Sequence, residues 1–227
     1  MKRATLATLV LLAAVLPATV FAAPRSPQVG VSSGTLQSYL TGNDGGITVV
    51  SDQEDIQSWR KTVSGNSAFT LQIALGNASG NEIGIYDASQ AFAPKPIFPA
   101  AAPAGWFAVA SFRTTNPNLI VNLFDDQGQH QTRTTYATFN GDNFGFYIKH
   151  DSDVGVTEDS KNPGSEVRAL TFAGKNANIG CWWLCFEDNR EDGEEAADYD
   201  DAVLLLESVN ASPVTKATWA AVKNRFR

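Results

Sequence analysis

An all-β fold, an antiparallel β-sandwich of jelly-roll type, is predicted by three features of this 227-residue chain. Apolar residues recur at period two far more often than at period 3.6, as half-buried strands require. The runs that do so are rich in aromatic and β-branched residues. Clusters of Gly, Asn, Asp and Pro separate them at near-regular spacing, the pattern of a sandwich or barrel.

Taken from the N-terminus, residues 1–22 form a secretory signal rather than part of the fold. Lys2 and Arg3 make a positive start, Ala4 to Leu16 is apolar, and Ala22 and Ala23 are small residues of the kind a signal peptidase accepts. The apolar run breaks at Pro17, short of the roughly 20 residues that span a bilayer. The expected product is therefore exported, to the medium, the cell surface or the periplasm, with no transmembrane segment once the signal is removed. Residues 23–210 are expected to be one sandwich domain. One or two short helices are placed near its start, at "TLQSYL" (35–40) and "DQEDIQSW" (52–59). Eight strands follow in "FTLQIAL", "NEIGIYD", "GWFAVASF", "NLIVNLFDD", "FGFYIKHD", "VRALTFAG", "CWWLCFED" and "AVLLLESV". The Ala/Pro segment "AFAPKPIFPAAAPAG" (91–105) reads as an extended connection crossing the sandwich. Residues 211–227 are assigned to a basic amphipathic tail, with Trp219, Val222 and Phe226 at helical spacing and Lys216, Lys223, Arg225 and Arg227 among them. Such a tail would dock to a sorting or surface partner.

Charge is concentrated rather than spread. Without Lys2 and Arg3 the chain keeps 15 basic and 24 acidic residues, and nine of those acids fall between Phe186 and Asp201 with Arg190 as the only local base. This sign disfavours a nucleic-acid partner. The acidic block lies between two predicted strands, so it forms a long hairpin loop whose ends converge to about 5 Å. Glu187 and Asp188 stand at one foot and Asp198, Asp200 and Asp201 at the other. Each carboxylate pair at such spacing repels by about 1 kcal/mol in water and more at a partly buried site. A hard cation with oxygen ligands relieves this, and calcium is the expected ion for an exported protein. The middle acids Glu191, Asp192, Glu194 and Glu195 are expected to face water. An EF-hand does not account for the stretch, because Arg190 and Tyr199 stand where oxygen ligands belong.

"FGFYI" (144–148), "ALTF" (169–172) and above all "FED" (186–188) followed by "DYDDAVLLLESV" (198–209) resemble domain-of-unknown-function family 4114. This is a β-sandwich module of exported bacterial proteins whose signature is an F-E-D strand end, a variable loop and D-[FY]-[ND]-D leading into an apolar strand. With weaker likeness in "TLQSYL" and "NEIGIYD", the resemblance covers most of the mature chain. It implies an extracellular, non-enzymatic module that binds calcium, with Glu187, Asp188, Asp198, Asp200 and Asp201 on the signature acids; Asp200 replaces the commoner Asn.

No other motif carries chemistry. "GVSSG" (30–34) matches a nucleophile-elbow pattern but has no strand before it. His130 and His150 lie on different predicted strands without a second His or Cys at ligand spacing. Cys181 and Cys185 are four apart on one strand; a regular strand sets their Cα atoms about 13 Å apart, beyond disulfide reach, whereas an exported location favours oxidation, and of the two outcomes a pair of buried thiols is expected. Trp182 and Trp183 alternate faces. Two functions fit: a calcium-stabilised module for cell-surface or extracellular-matrix adhesion or assembly, and a calcium-dependent, lectin-like sandwich that binds an extracellular polysaccharide.

Overall fold

A computed structural model of the chain describes residues 23–32, 34–75, 80–188 and 197–213. Among these residues the chain forms thirteen strands and one α-helix. The strands are β1 (Ile56–Lys61), β2 (Asn66–Ala74), β3 (Asn81–Asp87), β4 (Lys95–Phe98), β5 (Phe107–Phe112), β6 (Leu119–Phe124), β7 (His130–Tyr136), β8 (Phe144–His150), β9 (Asp153–Val156), β10 (Ala169–Ala173), β11 (Trp182–Phe186), β12 (Ala202–Glu207) and β13 (Val209–Pro213). They form two antiparallel sheets. One has the order β10-β11-β12-β2-β5-β6-β7, the other β13-β1-β8-β3-β4 with β9 added to β8. The predicted all-β sandwich is thus observed, and all eight predicted strands are present.

Period-two alternation builds the core between the sheets. Leu184 and Phe186 of β11, Leu204 and Leu206 of β12, and Phe69 and Leu71 of β2 face Ile83, Ile85, Phe144, Phe146 and Trp59 of the opposite sheet in one buried cluster. The alternate residues of the same strands face outward yet are also buried. Trp183, Cys185, Val203, Leu170 and Phe172 are covered by the helix α1 (Gly34–Asn43), through Leu36 and Leu40, and by Ile47 and Val49. This third layer explains why β10, β11 and β12 read as continuous apolar runs. Trp183 seals it: the indole is 1% exposed, its N–H donates to Asp44 Oδ2 at 2.9 Å, and Tyr39 meets it edge-on. Trp182, on the other face, is half-buried against the inter-sheet core.

Two expectations are corrected. "TLQSYL" lies in α1, but "DQEDIQSW" is not helical: Glu54 forms a β-bridge with Thr171, and the remainder enters β1. The cause is an irregularity between Ile56 and Ser58, which places Ile56 and Trp59, three apart, both in the core. A bulge of this kind imitates helical spacing. The sandwich also continues past residue 210, because β13 pairs with β1 as far as Pro213 opposite Ile56. Three residues assigned to the tail therefore belong to the sheet; the rest of the tail and the signal segment lie outside the described residues. Pro213 is tolerated because β13 is an edge strand. The 91–105 segment does cross between sheets, and its "KPIF" adds the edge strand β4 on the way.

The outer face of the smaller sheet is built from a reciprocal pairing. Gly84 opposes Tyr147 and Tyr86 opposes Gly145 across β3 and β8. Both tyrosines are fully buried, with hydroxyls donating to Glu82 and Glu158 at 2.8 and 2.9 Å. A Cβ at Gly145 would lie only 2.7 Å from Tyr86 Cε1, and one at Gly84 the same distance from Tyr147 Cε1. Gly145→Ala should therefore cost about 1–3 kcal/mol as an overpacking change, read as a lowered urea midpoint. An unchanged midpoint would show that the ring moves aside freely.

Candidate metal site

β11 and β12 pair directly, with Phe186 opposite Ala202, so the acidic block is the hairpin loop the sequence predicts. Both feet are held in register by the neighbouring strands. Glu187 N donates to Arg168 O at 3.1 Å, and Leu75 N donates to Asp201 O at 2.8 Å. The far foot turns sharply at Tyr199, whose φ of 58° drives its ring into the layer under α1, where it is fully buried and its hydroxyl donates to Val167 O at 3.0 Å. Tyrosine thus acts as a peg. It lets Asp198 and Asp201 turn towards the near foot.

Glu187, Asp198 and Asp201 each offer a carboxylate oxygen, and the three oxygens lie within 4.8 Å of one another. Oxygens bound to one calcium at 2.3–2.6 Å can be at most about 5 Å apart, so the spacing fits a shared cation. Glu187 is 8% and Asp201 9% exposed. Backbone amides hold them in place: Glu187 Oε2 accepts from Asp198 N at 3.0 Å and Tyr199 N at 3.3 Å, and Asp201 Oδ2 accepts from Asp188 N at 2.8 Å. Burial pushes the Asp201 carboxyl up to about 8, with the Asp188, Glu187 and Asp198 charges adding to it and the Asp188 amide opposing. Glu187 is raised for the same leading reason. An all-carboxylate donor set is hard, suited to calcium, magnesium or manganese rather than to a soft-ligand metal.

The other two predicted residues sit differently. Asp188 is 4% exposed, and its Oδ2 accepts from Asn81 Nδ2 at 2.6 Å, with His150 Nδ1 against Asn81 Oδ1 at 3.1 Å. Asn81 and His150 belong to the opposite sheet, so this contact ties the two sheets together at the loop. Asp200 is 6% exposed and raises the buried Cys185 thiol, behind the larger effect of burial itself. Its backbone N donates to Asp198 Oδ1 at 3.3 Å. The positive Tyr199 φ places consecutive acids on different sides of the turn, a feature spacing alone does not reveal. Arg190 and the middle acids Glu191, Asp192, Glu194 and Glu195 lie outside the described residues.

Sequence reading missed Arg168. Its buried guanidinium contacts the main-chain oxygen of Asp188 and the carboxylate of Asp153. The only signal was a cation opening an apolar strand in "VRALTF". Asn81 was missed too, hidden in a run read simply as strand. Cys185 is buried, whereas Cys181 is only half-buried because it precedes β11 rather than lying within it; both are free. Comparisons with protein-family models, with characterised proteins and with solved structures find no match to this chain. No helix among the described residues is long and apolar enough to cross a membrane.

Proposed function

We propose that this is an exported, non-catalytic sandwich module of the family-4114 type, whose acidic hairpin binds calcium and thereby rigidifies a surface used in adhesion or assembly outside the cell. The observation that carries this reading is the convergence of Glu187, Asp198 and Asp201 oxygens within 4.8 Å at a largely buried hairpin base. Carboxylates held this closely need a counter-charge, and Arg168 spends its guanidinium on Asp153 and a main-chain oxygen. The F-E-D and D-Y-D-D resemblance and the signal-like first 22 residues support calcium and export. The lectin alternative wants an exposed aromatic face beside the ion. Tyr199 and Phe186, the aromatic residues flanking the acids in the chain, are both buried.

Thermal melting with and without calcium tests the proposal. Extracellular modules bind with Kd of about 10⁻⁴–10⁻³ M, and calcium at ten times Kd stabilises by about 1.4 kcal/mol. The melting temperature should rise with calcium and fall with chelator; no shift in either direction sinks the proposal. The response should also depend on pH. With its folded pKa raised to about 8, Asp201 favours the fold while protonated, fully below about pH 4 and progressively less as pH rises through 8. In chelator, stability should decline across that window. Calcium replaces the proton, so the calcium-induced shift should be larger at pH 8 than at pH 5. An equal shift at both pH values would count against Asp201 as a ligand.

A further inference from the structure

β3 runs the length of the sandwich, with Asn81 at the acidic hairpin and Asp87 at the other end, roughly 20 Å away at about 3.3 Å per residue. At that far end lies a cavity of about 570 Å³ lined by Asp87, Lys95, Asn118, Thr138, Phe139 and Asn140, among others. The volume falls within the roughly 300–1,000 Å³ of small-molecule sites. Its one acid and one base are not paired with each other. The Asp87 carboxylate is already satisfied within its own turn, accepting from Ser89 N at 2.9 Å, Ser89 Oγ at 2.5 Å and Gln90 Nε2 at 2.8 Å. Lys95 has no ion-pair partner among the described residues and rests 5.6 Å from the Tyr136 ring centre. Thr138 makes no hydrogen bond among the described residues, and the Asn118 side chain uses only its Nδ2–H, donating to Arg113 O at 3.1 Å, which leaves Oδ1 without a donor among the described residues. Phe139 supplies a fixed apolar wall, held against Phe112 and Phe144 at ring separations of 5.9 and 6.1 Å.

We propose that this cavity binds an anionic saccharide, a sugar bearing a carboxylate such as a uronate, independently of the metal site. Lys95 pairs with the carboxylate, while Asp87, the lining acid, keeps its lone pairs engaged by three donors of its own turn. Thr138 Oγ1 and Asn118 Oδ1 offer an acceptor-donor hydroxyl and an acceptor carbonyl, the groups that complement sugar hydroxyls. Phe139 faces the apolar C–H side of the ring. A neutral sugar leaves the Lys95 ammonium unpaired, which gives the cavity its selectivity.

Isothermal titration in the presence of chelator, with trigalacturonate and maltotriose as probes, tests this. Trigalacturonate should bind, at least tenfold tighter than maltotriose, with affinity falling as salt is added. Lys95→Gln should weaken it at least tenfold and Thr138→Val severalfold, while both variants keep the calcium-dependent melting shift of the parent. Absence of binding, equal affinity for maltotriose, or Lys95→Gln binding like the parent would each overturn the proposal. None of those outcomes alters the melting test of the metal site, so the two can fail separately.

Discussion

Above pH 8, where its carboxyl is ionised, Asp201→Asn should raise the melting temperature in chelator and abolish the response to calcium. The two signs follow from one geometry. Asp201 Oδ2 already accepts from Asp188 N, and an asparagine carbonyl can accept the same bond, so the turn keeps its support. What disappears at such pH is a negative charge from a cluster with Glu187 and Asp198, relieving about 1 kcal/mol of repulsion per pair. With calcium present the same change removes a ligand, and the stabilisation of about 1.4 kcal/mol at ten times the parent Kd is lost. Asp200→Asn is the companion experiment. Asp200 stands outside the three-oxygen cluster, so its variant should retain the calcium shift. If Asp201→Asn is destabilising in chelator and calcium alike, the residue is a structural hydrogen-bond acceptor and not a ligand.

Trp183→Ala should cost about 3–5 kcal/mol, the range for truncating a large buried aromatic. The indole is 1% exposed in the layer between the seven-stranded sheet and α1. Its removal leaves a cavity and also deprives the Asp44 carboxylate, itself 1% exposed, of one of its two donors, the other being Lys175 N at 2.7 Å. Trp183→Phe, which restores most of the volume but not the N–H, should recover part of the loss. Chemical denaturation measures both. A loss below about 1 kcal/mol for the alanine variant would mean that α1 is a loosely attached cover rather than a layer of the core.

The elements legible in the sequence were those whose burial is one-sided and regular. β2, with its alternating burial, and β5 announce themselves by period two, and β11 and β12 by uninterrupted apolar runs. The five strands that escaped notice share physical causes. β7 is an edge strand, mostly exposed and polar; β4 carries Pro96 at an edge of the smaller sheet; β9 is four residues long; β13 buries Val209 while Ala211 and Ser212 stay half-exposed; and β1 is broken by its irregular register. At the site, the pairing of the hairpin made the convergence of Glu187 with Asp198 and Asp201 readable. The partition among the five acids was not. It depends on the left-handed turn at Tyr199 and on partners from remote strands, Asn81 and Arg168, whose approach no local pattern encodes.

The pairing of β13 with β1 has a mechanical consequence. The chain enters the described sandwich at Pro24, which bridges to Glu54, and leaves it at Pro213 beside Ile56. Both attachment points therefore lie at the same end of β1. A load pulling on the two flanking segments would peel β13 away one hydrogen bond at a time, starting at Pro213, instead of shearing the whole strand at once. Stretching should thus detach the last strand at low force, before the strands of the seven-stranded sheet separate.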